Sequence, residues 1–124
     1  MLEKRTEAAE EKFNQAELLN QRLKEVFSVK ISEFRQACYE LTGYKITMSG
    51  SKYRLRSMYA ELEDDDLLFQ RGENESLCVL ETPFARRLDK KSVEVLSRFH
   101  SIPLFLSTVT EELFEKQTMR AGLG

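Results

Sequence analysis

Arg22 and Lys24 flank the apolar residue Leu23. These two cations are the best candidates for recognition chemistry in the sequence. A planar guanidinium beside an ammonium suits a phosphate group or an acidic peptide, because a guanidinium can bind two oxygens at once. On spacing alone the inference is weak, since basic residues on the flank of a helix are commonly solvated or paired with glutamate. A binding role for Arg22 and Lys24 therefore has to be judged together with the other features of the sequence.

Few other residues could do chemistry. The one histidine, His100, falls at an expected junction between helices, where a capping or surface role is the simpler interpretation. Cys38 and Cys78 lack the spacing of a metal site, and we interpret both as small core residues of an intracellular, reduced protein. The acidic run from Glu61 to Asp66 lacks the spaced ligands and the glycine of a calcium loop. We therefore expect no metal, no cofactor and no catalysis, and binding as the function.

The basic pair lies in a stretch without Gly or Pro, from residue 2 to about residue 41, whose apolar residues repeat in heptads. A seam of period 3.5 winds two helices around each other left-handedly, and a lone Asn at position a favours a parallel, two-stranded pairing. At about 1.5 Å per residue the helix would be roughly 60 Å long, too long for the remaining residues to cover. We predict a dimerisation stem; the alternative is one amphipathic helix lying on its own domain. The predicted seam residues are Phe13, Ala16, Asn20, Leu23, Phe27, Phe34, Ala37 and Leu41.

Length and composition restrict the class of protein. A chain of 124 residues is one small domain plus a stem, and its net charge of −2 with a pI near 5.6 argues against a dedicated nucleic-acid or membrane-surface protein. No apolar run reaches the length of a membrane span, and the acidic start does not resemble a signal or transit peptide. Because the heptad pattern already holds at residue 2, we expect the chain to be a piece of a protein with a longer coiled coil.

The apolar period changes after the stem. Thr42-Gly43 predicts the helix end, and alternating apolar residues around a turn at 49–51 predict a β-hairpin. An acidic loop at 61–66 and a second strand pair, 66–71 and 76–81, complete an antiparallel meander. Thr82-Pro83 predicts the start of a covering helix with a possible break near Asp89, and Ser101 caps a last helix. The predicted parts are a coiled-coil stem at 1–42, an α+β head at 43–118 and a tail at 119–124.

Several segments of the sequence match a known family. The match begins with AELLNQRLKEVF at 16–27 and continues with FRQACY at 34–39 and LTGY at 41–44. In the head it continues in the same order with YRL and SMYA at 53–60, LET at 80–82, SIPLFLS at 101–107, and LF to QT at 113–118. In these segments the chain resembles the C-terminal domain of mitotic arrest deficient protein one, the coiled-coil scaffold family of the spindle assembly checkpoint. The loops at 61–66 and 72–76 and the tail diverge.

The resemblance implies a parallel homodimer with an RWD-like α+β head, located in the nucleus and, in mitosis, at the kinetochore, with the nuclear envelope as an interphase location. It implies that Arg22, Leu23 and Lys24 receive a phosphothreonine segment of the Bub-family checkpoint kinase, and so dock the scaffold at unattached kinetochores. It also implies that Thr118 is a phosphorylation target. The segment that binds mitotic arrest deficient protein two lies upstream in the family and is absent from this sequence.

Two other functions compete with a phosphopeptide reader. A structural kinetochore or tethering module of the same architecture would leave the basic pair without a special role. A small enzyme would need a polar pocket with convergent titratable groups, which the sequence does not offer.

Overall fold

The computed structural model describes residues 2–120, and the side chains of residues 6–119. Along this part of the chain one long helix is followed by a four-stranded antiparallel sheet and then by three helices, so the predicted α+β class is confirmed. The chain divides into two units, with residues up to Ala37 in the first and residues from Cys38 in the second. None of the described helices combines the length and the apolar character that a membrane span requires.

The first helix, α1 (Leu2–Thr42), has no internal Gly or Pro, and most of its residues are good helix formers. It ends at the predicted position. Gly43 adopts the left-handed conformation, with φ +79°, and its N–H donates to the Tyr39 carbonyl at 2.7 Å. The Thr42 hydroxyl donates to the Cys38 carbonyl at 2.6 Å, which satisfies a second carbonyl of the last turn.

The sheet is the predicted meander, with its strands in the order β1 (Tyr44–Ser49), β2 (Lys52–Ser57), β3 (Asp66–Arg71) and β4 (Leu77–Leu80). Each neighbouring pair is antiparallel and continuous in register. Side chains alternate between the two sheet faces, so Leu55, Leu67 and Phe69 share the buried face. The opposite face carries cations of β1 and β2, among them Lys45 opposite Arg56.

Three helices follow the sheet: α2 (Pro83–Arg86), α3 (Lys90–Phe99) and α4 (Ile102–Arg120). The Thr82 hydroxyl accepts from the Ala85 N–H at 3.0 Å, and the Ser101 hydroxyl accepts from the Leu104 N–H at 3.2 Å, as the capping pattern predicts. His100 caps the end of α3 in the left-handed conformation. Because α4 continues through Arg120, Met119 is helical, and residues 121–124 of the expected tail lie outside the described residues. The sheet and helices close over one core of Tyr44, Leu55, Leu67, Phe69, Phe84, Leu88, Phe105, Val109 and Leu113.

One expectation for the head was wrong. Cys78 is exposed, because its place in β4 puts its side chain on the sheet face away from the core. The acidic run forms the predicted loop up to β3, and its last two residues, Asp65 and Asp66, are buried. The Arg87 guanidinium lies 2.5 Å from Asp65, and the Arg54 guanidinium lies 3.0 Å from Asp66, so each carboxylate has a cationic partner.

Candidate binding site on helix α1

The basic pair lies in the middle of α1. Arg22, Leu23 and Lys24 are consecutive helical residues, and successive residues are separated by about 100° around a helix axis. The two cations therefore lie on opposite sides of Leu23. All three side chains are exposed in the protomer, Leu23 by 46%. In a seam through Leu23, both cations would lie outside the a and d positions, on opposite sides of Leu23.

Within the described part of the chain, neither cation is neutralised by a side chain of its own protomer. Among the described residues, no hydrogen bond or ion pair engages Arg22 or Lys24. Glu25 lies three residues after Arg22, at a spacing that permits an ion pair on a helix, and none is formed. The basic pair is therefore free to bind an anion supplied from outside.

Apolar side chains surround Arg22, and the sequence reasoning did not assign them to the site. Leu18 and Leu19 lie four and three residues before Arg22, Val26 lies four residues after it, and these spacings make all three its neighbours on the helix surface. Leu18, Leu19 and Val26 are exposed by 50%, 58% and 57%. The helical spacing alone could have identified them. A ligand at Arg22 would meet a charged group with apolar surface beside it.

The eight predicted seam residues are all exposed in the protomer. The aromatic members are among the most exposed apolar side chains of the described residues, with Phe27 at 62% and Phe34 at 70%. Contiguous exposed apolar surface of this kind marks an interaction surface more often than free solvent contact. Two seam positions depart from the apolar rule. One is Asn20 at a; the other is Lys30, which the heptad places at d and whose ammonium pairs with Glu33 at 3.5 Å.

Thr118 belongs to the second unit and lies near the end of α4. Its hydroxyl donates to the Phe114 carbonyl at 2.8 Å, the usual bond of a helical threonine to the preceding turn. Within the described residues no three His, Cys, Asp or Glu side chains are grouped to hold a metal ion. On α1, the described residues expose cationic and apolar side chains side by side.

Comparison with known proteins decides the family. The model of the family described as mitotic checkpoint protein, MAD, matches residues 1–118, nearly the whole chain. The chain belongs to the mitotic checkpoint protein family. This membership agrees with the resemblance found in the stem and head segments.

Individual members of this family show the same relationship. The chain is 49% identical over 107 residues to the mitotic spindle assembly checkpoint protein MAD1 of Homo sapiens, an alignment that covers 84% of this chain and 15% of that protein. It is 36% identical over 110 residues to the mitotic spindle checkpoint protein MAD1 of Arabidopsis thaliana, covering 80% of this chain and 15% of the relative. A Yarrowia lipolytica checkpoint component MAD1 is 36% identical over 101 residues, 78% of this chain and 14% of the relative. The chain thus spans about one seventh of the length of these relatives.

Proposed function

We propose that this chain is a non-enzymatic, homodimeric module of the spindle assembly checkpoint that docks at unattached kinetochores. It does so by binding a phosphorylated segment of the Bub-family checkpoint kinase at Arg22, Leu23 and Lys24. The family membership and the checkpoint names of its relatives support the cellular role. The observation that carries the binding role is a pair of exposed, unpartnered cations around a seam residue.

The dimer is the first part of this proposal. The heptad seam favours a parallel pair of α1 helices, and its exposed phenylalanines are the side chains whose burial would contribute most to pairing. In a parallel dimer the two copies of Arg22 and Lys24 lie at the same level, one set on each side. A two-fold dimer would then present two equivalent sites for the kinase segment.

The ligand chemistry is the second part. A phosphothreonine carries about −1.5 to −2 charges and three strong acceptor oxygens. Arg22 can engage two of those oxygens in a forked geometry, and Lys24 adds a point charge. The apolar side chains of Leu18 and Val26 beside Arg22 would accept apolar residues that flank the phosphothreonine. This arrangement favours a phosphorylated segment over a free anion.

The proposal extends to location and further partners, and the family membership supports it. We place the module in the nucleus and, in mitosis, at the kinetochore, with the nuclear envelope as its interphase site. Mitotic arrest deficient protein two would bind upstream of this chain. Thr118 is proposed as a phosphorylation site; because its hydroxyl is bonded within α4, a kinase would require the last turn of that helix to open.

The test is a titration of the dimer with a phosphothreonine peptide of the Bub-family kinase and with its unphosphorylated form, followed by fluorescence polarisation. Arg22→Ala combined with Lys24→Ala should weaken phosphopeptide binding about 10- to 100-fold, because charge-assisted hydrogen bonds are lost. Arg22→Lys alone should retain part of the affinity. Added salt should weaken the wild-type complex.

A matched control removes the same charge elsewhere on α1. Lys12→Ala with Arg35→Ala deletes two exposed cations that form no hydrogen bond or ion pair among the described residues, and it should leave the affinity unchanged. If the Arg22, Lys24 variant still prefers the phosphorylated peptide, the reader site is elsewhere. If the wild-type dimer does not distinguish the two peptides, the chain is a structural tethering module instead.

A further inference from the structure

The strand β4 has an unpaired edge. Among the described residues it pairs with β3 on one side and with no strand on the other. The Gly72 N–H donates to the Ser76 carbonyl at 2.8 Å, so this opposed pair is hydrogen-bonded. Opposed residues alternate between bonded and non-bonded pairs along an antiparallel ladder. Cys78 therefore bonds to β3, whereas the N–H and carbonyl groups of Leu77 and Val79 point away from the sheet.

A hydrogen bond at the other end of the sheet predicts the same alternation of bonded and non-bonded pairs in β4. The Met58 N–H donates to the Gly43 carbonyl at 2.8 Å, and continuing the alternation across β2 and β3 again turns the backbone groups of Leu77 and Val79 outward. No hydrogen bond engages those outward groups within residues 2–120. They are available to another strand.

This edge lacks the features that usually protect an edge strand. Natural proteins place charged residues or proline there, or interrupt the strand with a bulge. The opposite edge strand, β1, carries Lys45. The sequence of β4 is Leu-Cys-Val-Leu, without charge or proline, and its register with β3 is unbroken. The free edge of β4 is therefore open to strand addition.

A groove runs beside this edge, between β4 and the region where α3 ends and α4 begins. Its volume is about 900 Å³, and its apolar lining includes Leu77, Val79, Leu96, Ile102 and Pro103. The side chains of Leu77 and Val79 are on the core face of the sheet, so a strand added to β4 would direct every second side chain into this groove. Groove and edge together fit an extended peptide.

The charged residues that line the groove indicate which kind of side chain the peptide should carry. Arg71 and His100 line it, and no Asp or Glu does. The Arg71 guanidinium donates to the Glu75 backbone carbonyl at 2.8 Å, and among the described residues no carboxylate is within ion-pair distance of it. The first turn of α4 also lines the groove, and the N-terminus of a helix favours negative charge. The groove is complementary to a carboxylate.

We propose that the groove beside β4, which we call the β4 groove, binds an extended segment of a partner protein by strand addition. The backbone of the segment bonds to Leu77 and Val79, its alternate apolar side chains enter the groove, and an acidic residue reaches Arg71. This is the general mode in which main-chain bonds give affinity and alternate pockets give specificity. The site is independent of the basic pair on α1.

The probe is a blocked heptapeptide, Asp-Thr-Val-Thr-Val-Thr-Asp, which presents two valines and a terminal aspartate to the groove in either strand direction. Titration into the ¹⁵N-labelled chain should shift the amide signals of Leu77 and Val79. It should slow hydrogen exchange of these two amides by at least about 10-fold. A peptide with lysine in place of both aspartates should bind at least about 5-fold more weakly.

The matched variants are Val79→Pro and Val79→Ala. The proline removes an N–H that points away from β3, so the ladder to β3 is kept, and binding should fall at least about 10-fold. Val79→Ala keeps the N–H and should bind more tightly than the proline variant. If Val79→Pro does not fold, the wild-type exchange data decide, because unchanged exchange of Leu77 and Val79 at millimolar peptide overturns the proposal.

Two other outcomes would also overturn it. If Val79→Pro changes the oligomeric state in sedimentation, the β4 edge pairs with a second copy of the chain. If Arg22→Ala with Lys24→Ala abolishes heptapeptide binding, the peptide binds at the stem. The proposal requires that this double variant bind the heptapeptide like the wild type.

Discussion

The hydroxyl of Tyr44 donates a 2.6 Å hydrogen bond to the backbone carbonyl of Leu106, which joins the first residue of β1 to α4. The Thr110 hydroxyl lies 3.2 Å from the tyrosine oxygen and 2.9 Å from the same carbonyl. Tyr44 is only 2% exposed. Its burial raises its pKa from 10.0 to about 12, and the bond with Thr110 opposes the shift in part.

Tyr44→Phe should lower the free energy of unfolding at neutral pH by about 1 kcal/mol, the usual net contribution of one hydrogen bond. The loss stays small because the Leu106 carbonyl keeps the Thr110 hydroxyl as a donor. Urea unfolding followed by circular dichroism measures the difference. A loss above about 3 kcal/mol would show that the phenol does more than make this bond.

The same substitution should change the pH dependence of stability. Because the folded-state pKa is raised, the unfolded chain loses its Tyr44 proton first as the pH rises, so stability present below pH 10.0 is lost towards pH 12. A rise of about two pKa units corresponds to about 2–3 kcal/mol. Urea melts from pH 8 to 11 should show a shallower alkaline decline for Tyr44→Phe. Tyr53→Phe is the control, because the Tyr53 hydroxyl forms no hydrogen bond among the described residues. This variant should lose stability with rising pH as the wild type does.

Glu112 is a buried carboxylate at the centre of a second network in the head. It accepts from the Ser92 hydroxyl at 2.7 Å and from the Asp89 N–H at 3.0 Å, and the Lys116 ammonium lies 2.9 Å away. Glu112→Ala would leave the buried Ser92 hydroxyl and the Asp89 N–H without this acceptor, so we expect a loss of about 2–4 kcal/mol. Glu111→Ala changes the exposed neighbouring glutamate and should stay within about 0.5 kcal/mol. Equal effects in thermal melts would contradict this role for Glu112.

Local rules predicted the boundaries of the head well. Gly43, Thr82 and Ser101 act within a few residues of themselves, as a left-handed helix end and two helix caps, so their types and neighbours were sufficient. The alternation of apolar residues similarly predicted the strands. Such features need no knowledge of the tertiary structure.

Contacts between distant residues could not be predicted in this way. Asp65 and Asp66 follow Asp64, and three adjacent carboxylates predicted an acidic loop but not the burial of any of them. Two of them are buried because Arg87, 22 residues later, and Arg54, 12 residues earlier, provide the opposite charges. The β4 groove was missed for the same reason, since its walls come from separate parts of the chain.

The exposure of Arg22 and Lys24 on α1 was predictable from the sequence, but what surrounds them in an assembly was not. The heptad placed Arg22 and Lys24 outside the seam, and both are exposed in the protomer. What they bind depends on a ligand, and on a second helix, that a single chain does not contain. The apolar neighbours of Arg22 could also have been predicted from helical spacing, but that spacing was used only to predict the seam residues.

Phe27→Ala should convert the dimer to a monomer or weaken it strongly. Phe27 occupies an a position, and truncation of a buried phenylalanine costs roughly 3–5 kcal/mol at each site, a cost that two-fold symmetry doubles. Sedimentation equilibrium at micromolar concentration measures the change. Val29→Ala is the matched control, because Val29 is an exposed apolar residue at position c, away from the seam. An unchanged dimer in Phe27→Ala would refute the seam assignment.

Asn20→Ile tests what the polar residue in the seam contributes. A lone Asn at an a position pairs with its counterpart in a parallel dimer, and fixes register and two-strandedness at a cost in stability. The isoleucine variant should therefore melt at a higher temperature and show a mixture of oligomers or registers in sedimentation and disulfide-trapping experiments. Asn14→Ile makes the same chemical change at an exposed b position and should leave both properties close to wild type. If Asn20→Ile melts lower yet is still uniquely dimeric, Asn20 does not set the specificity of the seam, and its side chain must serve another contact on α1.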